Sequence, residues 1–166
     1  MTSHVDSQLA YRESVVPRDR GDVREIVESS GFFHDFEVDV AIELIDDALA
    51  KGERSEYLFV FAERDGRTVG YSCYGEIACT RGSYDLYWIA VREEHRASGI
   101  GGRLLAFTEE RIAARGGRAI WVETSSKPKY EPTLRFYARA GYEIAAVLKD
   151  FYAVGDDKVV FVKRLG

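Results

Sequence analysis

Arg96, Gly99 and Gly101 form an R-x-x-G-x-G run inside the stretch EEHRASGIGGRLLAFTEE. The run leaves a strand-like apolar segment, SYDLYWIAV, and opens a helical pattern. Glycines in such a place can serve as a plain connector, and the spacing alone is a weak signal. They can also cradle an anion. The first backbone N–H groups of a helix lack intrahelical partners and sit at the positive end of the helix dipole. With no Cβ in the way, a phosphate or pyrophosphate can approach them closely. Arg96 and Arg103 can add charge there. Two carboxylates raise a second question. Asp85 in SYDLYWIAV and Glu123 in RAIWVETSS interrupt otherwise apolar strands. An unpaired charge in such a setting is costly. Either each has a local partner (a turn bond for Asp85, a salt bridge such as Arg118 for Glu123), or at least one carries chemistry. A carboxylate is a usual means of taking a proton from an alkylammonium of pKa about 10.

The elements that position these residues follow from periodicity. YRESVV predicts a short strand closed by Pro17. Val23, Ile26 and Val27 predict a first helix, and Val38, Ala41, Ile45 and Ala48 a longer second one ended by Gly52. YLFVFAER and RTVGYSCYGEIA around Asp65-Gly66 read as a hairpin. SYDLYWIAV, the helix carrying Leu104, Leu105, Thr108 and Ile112, and RAIWVETSS form a strand–helix–strand unit, which implies a parallel pair. PTLRFYARAGY predicts a short helix, and EIAAVLKDFY with DKVVFVKRL a closing hairpin. The order is β-α-α-β-β-β-α-β-α-β-β. It predicts an α/β fold with a mixed, mostly antiparallel sheet and about four helices. Residues 1–8 are expected to form a flexible tail and 9–166 a single domain.

Composition excludes several classes. A net charge of −5 argues against a general nucleic-acid binder. The opening MTSHVDSQLAYRES lacks the apolar core of a secretion signal, and no apolar run reaches membrane-spanning length. A cytoplasmic protein with no membrane partner is therefore expected. Cys73 and Cys79 fall in one strand-like stretch, too far apart to bridge, and are expected as two reduced core thiols. His4, His34 and His95 are scattered, so no metal is expected. A dinucleotide fingerprint is disfavoured, because the third position after Gly101 is Leu104.

With these residues in view, the chain resembles the GNAT superfamily of acetyl-CoA-dependent N-acetyltransferases. Arg96-x-x-Gly99-x-Gly101 matches the family's phosphate loop, LYWIAV its central strand, and RFYARAGYE its second signature. The resemblance runs from about Tyr11 to Leu165. It implies a sheet splayed between its two middle parallel strands. It implies that backbone groups of Ile89, Ala90 and Val91 line the pantetheine arm of acetyl-CoA. It further implies that N–H groups of Arg96, Ala97, Ser98, Gly99, Ile100, Gly101 and Gly102, with the Arg103 charge, hold the pyrophosphate.

Tyr137 falls on the family's general acid, which protonates the leaving thiolate. Asp85 has the same offset from the phosphate loop as the catalytic Glu of the histone acetyltransferase branch. Glu123 resembles the Glu of the ribosomal-protein alanine acetyltransferases. The expected division makes Asp85 the base and Glu123 the residue that orients the ammonium, with the reverse left open. One departure is that Tyr130 stands where the family often has Asn, in a loop whose Lys127 or Lys129 could reach a phosphate. Phe32, Phe33 and Phe36, with Tyr74, Tyr87 and Tyr152, are expected to shape an acceptor pocket suited to a small cationic amine. The rivals are acetylation of a protein lysine or N-terminus, and a non-catalytic acyl-CoA-binding module. The closing strands could pair with a second copy, so a homodimer is among the expectations.

Overall fold

The structure is a computed structural model and describes residues 8–166. Residues 1–7 of the expected tail, His4 among them, lie outside the described residues. The strands are β1 (Ala10–Arg12), β2 (Leu58–Arg64), β3 (Arg67–Glu76), β4 (Ser83–Val91), β5 (Ala119–Ser125), β6 (Glu143–Ala153) and β7 (Asp156–Arg164). The helices are α1 (Asp19–Ser29), α2 (Asp35–Lys51), α3 (Ile100–Ala114) and α4 (Glu131–Arg139). The order is the one that periodicity predicts. The sheet order is β1-β2-β3-β4-β5-β7-β6. β4 and β5 are parallel, while β1–β2, β5–β7 and β6–β7 are antiparallel. The chain divides into two compact units. One is the chain through Cys73 with Trp88–Leu104, and the other is Tyr74–Tyr87 with Leu105–Gly166.

The first unit is built on an apolar cluster. Val23, Ile26 and Val27 of α1 recur at helical spacing and are buried with Val38, Ala41, Ile42, Ile45 and Ala48 of α2. Phe59, Phe61, Tyr71, Cys73 and Ala90 join them from the strands. Each buried Val, Ile or Phe among them contributes roughly 1.5–3 kcal/mol by leaving water. Burial pushes the Cys73 thiol well above its ordinary value, so it packs as an apolar group. α2 starts cleanly because the His34 N–H donates to Glu37 Oε2 at 2.8 Å. Gly70 lets strands approach. A Cβ there would stand 3.0 Å from the Ala90 carbonyl oxygen and 3.3 Å from Val91 Cγ2.

In the second unit, β5 pairs with β7 along its whole length, from Ala119↔Arg164 to Ser125↔Lys158. Alternation turns Ile120 and Val122 inward and leaves Trp121 and Glu123 on the other face. β6 runs beside β7 as an edge strand whose residues are exposed throughout. Its register slips twice, and residues 149–152 stand opposite Asp157 between the pairs Leu148↔Lys158 and Ala153↔Asp156. Asp150 reaches φ 51 inside this excursion.

Cys79 is a correction. β3 ends at Glu76, and Cys79 is exposed with φ 64 in the turn that the Ile77 N–H closes on the Ser83 carbonyl at 2.8 Å. The turn formers Thr80 and Gly82 end the strand pattern before the second cysteine. No helix among the described residues is long and apolar enough to cross a membrane.

Candidate active site

The glycine loop belongs to the first unit. After β4, the Arg92 N–H donates to the Val69 carbonyl at 2.8 Å. The buried Arg92 guanidinium donates to the Thr68 carbonyl at 2.7 Å and to Glu25 Oε2 at 2.9 Å. This residue, which sequence reasoning passed over, anchors the chain where the loop begins. A single turn over Glu93–His95 follows. Ala97 and Gly99 then take left-handed conformations, φ 60 and φ 79, before α3 opens at Ile100. Left-handed residues in a turn that opens a helix direct backbone N–H groups to one side, an arrangement that suits an anion. An added Cβ on Gly99 or Gly102 would meet nothing within 4 Å, so the space above the loop is open. The Ser98 hydroxyl donates back to the His95 carbonyl and fixes the loop's bend. These features fit a pyrophosphate at the start of α3.

Arg96 is placed differently from the expectation that its charge serves the anion. Its Nη2 donates to the Ser30 carbonyl at 3.2 Å, and its guanidinium lies 4.9 Å from the Phe32 ring centroid. It joins the glycine loop to the turn between α1 and α2. Within the same unit, Phe33 packs on Trp88 with centroids 4.9 Å apart. Phe36 stacks on His34 and is 67% exposed. Ile89 and Val91 are half-buried and Ala90 is buried, all on the closing part of β4. A cleft of about 360 Å³ lined by Ser29, Arg92, Glu93 and Glu94 has an acidic rim and an arginine already paired, a poor match for a phosphate.

The titrating groups belong to the second unit. The described β4–β5 pairs are Ser83↔Ala119, Tyr84↔Ile120 and Asp85↔Trp121, while β4 continues to Val91 and β5 to Ser125. Asp85 and Trp121 are opposite one another, and Glu123 lies two residues on along the Trp121 face. Burial first, and the Glu123 charge second, raise the Asp85 carboxyl above its ordinary value; Lys158 opposes them. Among the described residues, no side chain hydrogen-bonds or ion-pairs with Asp85. Glu123 is held instead: Lys158 Nζ lies 2.8 Å from its Oε2. That ammonium also sits 3.7 Å from the Phe151 ring centroid and 5.9 Å from that of Tyr152. Asp85, Glu123 and Lys158 thus form one cluster with an aromatic wall. Lys158 was not legible as part of it.

Tyr137 lies on α4, 4% exposed, with Phe136, Tyr142 and Phe161 at centroid distances of 5.2, 5.4 and 5.7 Å. Burial raises its phenol well above the ordinary value, so the proton stays on at neutral pH. The phenol therefore has a proton to donate, while the same burial makes it a weaker acid than a free tyrosine. The two loop lysines point to protein groups: Lys127 Nζ lies 3.8 Å from Asp156 Oδ2, and Lys129 lies 4.9 Å from the Tyr130 ring centroid. Tyr87 and Tyr152 are exposed. Tyr74 corrects the expected acceptor aromatics: it is fully buried against Tyr84 at 6.4 Å and offers no open surface. Among the described residues, no group of three or more His, Cys, Asp or Glu is arranged to hold a metal ion.

This sheet, loop and helix arrangement is that of an acetyltransferase. The model of the acetyltransferase (GNAT) domain matches residues 55–144. A solved protein of Desulfovibrio desulfuricans, assigned to the GNAT acetyltransferases, is 47% identical, with 96% of this chain and all of that chain covered and a TM-score of 0.94. An aminoglycoside 6'-N-acetyltransferase solved with coenzyme A shares the fold at 18% identity, covering 95% of this chain and 96% of that one, with a TM-score of 0.71. The ribosomal-protein-S18-alanine N-acetyltransferase of Escherichia coli does so at 15% identity, 96% and 95% coverage and a TM-score of 0.73. No curated protein matches. The chain belongs to the GNAT family of acetyltransferases, which use acetyl-CoA.

Proposed function

We propose that this acetyltransferase acts on the primary amine of a small molecule, an N-acetylation in which no enzyme side chain is itself acetylated. The observation that carries the reading is a cation-accepting cluster: Lys158 Nζ already lies against Glu123 and the Phe151 and Tyr152 rings, and Asp85, which has no ion-pair partner among the described residues, is coupled to that cluster. Acetyl-CoA, when bound, supplies the acetyl group as a thioester. The N–H groups of the loop from Arg96 to Gly102 hold its pyrophosphate, and backbone groups of Ile89, Ala90 and Val91 accompany its pantetheine arm. Asp85, raised above its ordinary value by burial and by the Glu123 charge, removes the ammonium proton, directly or through water. Glu123 orients the ammonium. The freed amine attacks the thioester carbonyl, and the C–S bond breaks as Tyr137 gives its proton to the departing thiolate. The second proton, shed by the amide nitrogen, restores the Tyr137 phenol through solvent. The 18%-identical neighbour that acts on aminoglycosides supports a small amine acceptor by fold alone.

The test is thiol release from acetyl-CoA with small amines, amino-acid amides, polyamines and lysine peptides. Turnover on a small-amine class, with kcat lowered about 10²-fold or more in Tyr137→Phe and coenzyme affinity retained, is the expected result. Turnover on peptides alone would overturn the small-molecule acceptor. Equal kcat in Tyr137→Phe would remove the phenol from the mechanism.

A further inference from the structure

Lys158 is an unusual lysine for this chain. Lys51, Lys127 and Lys149 leave half or more of their side chains in water, as solvated lysines do, whereas Lys158 is 12% exposed. Its partner Glu123 is 52% exposed. An ion pair with one half-exposed member contributes little to stability, so a purely stabilising role explains the burial poorly.

The backbone holds this ammonium in place from two sides. On β7, Lys158 pairs with Ser125 of β5, and Val160 with Glu123, so Lys158 and Glu123 share one sheet face. On the other side, the excursion at residues 149–152 brings the Phe151 ring to 3.7 Å from Nζ. That excursion is itself tied down. The Asp150 N–H donates to Asp157 Oδ1 at 2.9 Å, Lys149 Nζ to Asp157 Oδ2 at 2.8 Å, and the Gly155 N–H to Asp150 Oδ1 at 2.7 Å. A register irregularity of this kind re-aims a side chain. Here it aims an aromatic face at a cation.

Two carboxylates in one cluster cannot serve equally as proton acceptors, since each charge disfavours the other. Lys158 breaks the symmetry because, of the two carboxylates, it ion-pairs with Glu123. We propose that Lys158 is a positioning residue that fixes Glu123 through Oε2, leaving the other Glu123 oxygen to orient the ammonium and Asp85 to take the proton. This rests on the reading of Asp85 as the base. The charged groups acting on Asp85 are Glu123 from β5 and Lys158 from β7, and β4 itself contributes none to the described set. Their signs are opposite. Glu123 moves the Asp85 titration up, and Lys158 moves it down.

The experiment follows both carboxyls by carbon-detected NMR across pH in wild type, Lys158→Met, Lys158→Arg and Glu123→Gln, with the pH profile of kcat/KM on the same proteins. Thermal melts confirm that each variant is folded. In Lys158→Met the Asp85 midpoint is expected to rise by about 1 in pH, and the acid limb of kcat/KM to move with it. Glu123→Gln should move the Asp85 midpoint the other way. Lys158→Arg should restore wild-type behaviour, because a cation remains. An Asp85 midpoint unmoved in Lys158→Met, or moved equally in Lys158→Arg, overturns the proposal and leaves the base assignment standing. A midpoint that moves without the rate limb overturns the assignment of Asp85 as base, and the proposal with it. If Lys158→Met does not fold, Lys158→Gln takes its place, with the same rise expected and an unmoved Asp85 midpoint overturning the proposal.

Discussion

Two clusters in this chain each set a pair of carboxylates against basic side chains, with opposite outcomes. In the first unit, Arg12 donates from Nη1 and Nη2 to Asp19 at 2.9 and 2.7 Å, and from Nε to Glu63 at 2.9 Å. Asp19 is fully buried and also accepts the Val16 N–H at 2.7 Å, while Arg18 adds a second cation to Glu63 at 2.7 Å. The planar guanidinium fork serves both acids at once. The pairing with Asp19 also raises Arg12 above its ordinary value, so the cation is locked on. In the second unit, Lys158 offers a compact ammonium and, among the described residues, ion-pairs with Glu123 alone. Asp85 keeps a carboxyl displaced upward by burial and by its neighbour. Where every charge is matched, the cluster holds structure together. Where one is left unmatched, the cluster is poised to exchange a proton.

The comparison can be broken first at its most reactive member. Asp85→Asn is expected to lower kcat/KM by about 10²–10⁴-fold with the fold retained. Glu123→Gln, which loses an orienting contact, should cost about tenfold. Steady-state kinetics that reverse this ranking would make Glu123 the base. The next largest effect lies in the other cluster. Arg12→Met leaves the buried Asp19 without its cation, which costs about 3–5 kcal/mol. For a chain of this size that lowers Tm by on the order of 10 °C. Turnover by the surviving folded enzyme, measured well below its Tm, should be unchanged. A large kinetic effect would show that this cluster too carries chemistry.

The smallest effect sharpens the sign. A carboxyl whose folded value is raised binds its proton more tightly in the folded state. The stability it contributes is therefore complete below the unfolded value of about 3.9 and is lost as pH rises through the folded value. Above the folded value the Asp85 charge is a burden on the fold. Asp85→Asn should raise Tm slightly near neutrality and leave it unchanged at about pH 3. A fall in Tm at neutral pH would show that the Asp85 charge has a favourable partner.

Much of this was legible in the sequence, for identifiable reasons. Elements with a clean period were visible: the stripe Val38, Ala41, Ile45 and Ala48 predicts α2, and Asp65-Gly66 the β2–β3 hairpin, with φ values of 52 and 75 in the structure. Asp85 and Glu123 stood out because a charge in an apolar strand needs a reason. Lys158 did not, because a lysine in an alternating strand reads as solvent-facing. Its contact with Glu123 exists only through strand pairing across 35 residues of sequence. The re-aimed Phe151 ring depends on a left-handed Asp150, a conformation that no periodic pattern announces. Arg96 has a motif position that says phosphate and a side chain that, in this structure, faces Ser30 and Phe32. A motif constrains the backbone more tightly than it constrains the reach of a long side chain.

The placement of the two tryptophans has an optical consequence. Trp88 packs on Phe33 in the first unit, and Trp121 points its Nε1 to Ser83 Oγ at 3.4 Å in the second. Each unit therefore carries its own fluorophore, and the chain contains no others of that kind. Trp88→Phe leaves emission that reports on the second unit, and Trp121→Phe leaves emission that reports on the first. Denaturant curves of the two variants, laid over one another, show whether the halves of this enzyme unfold together or in turn.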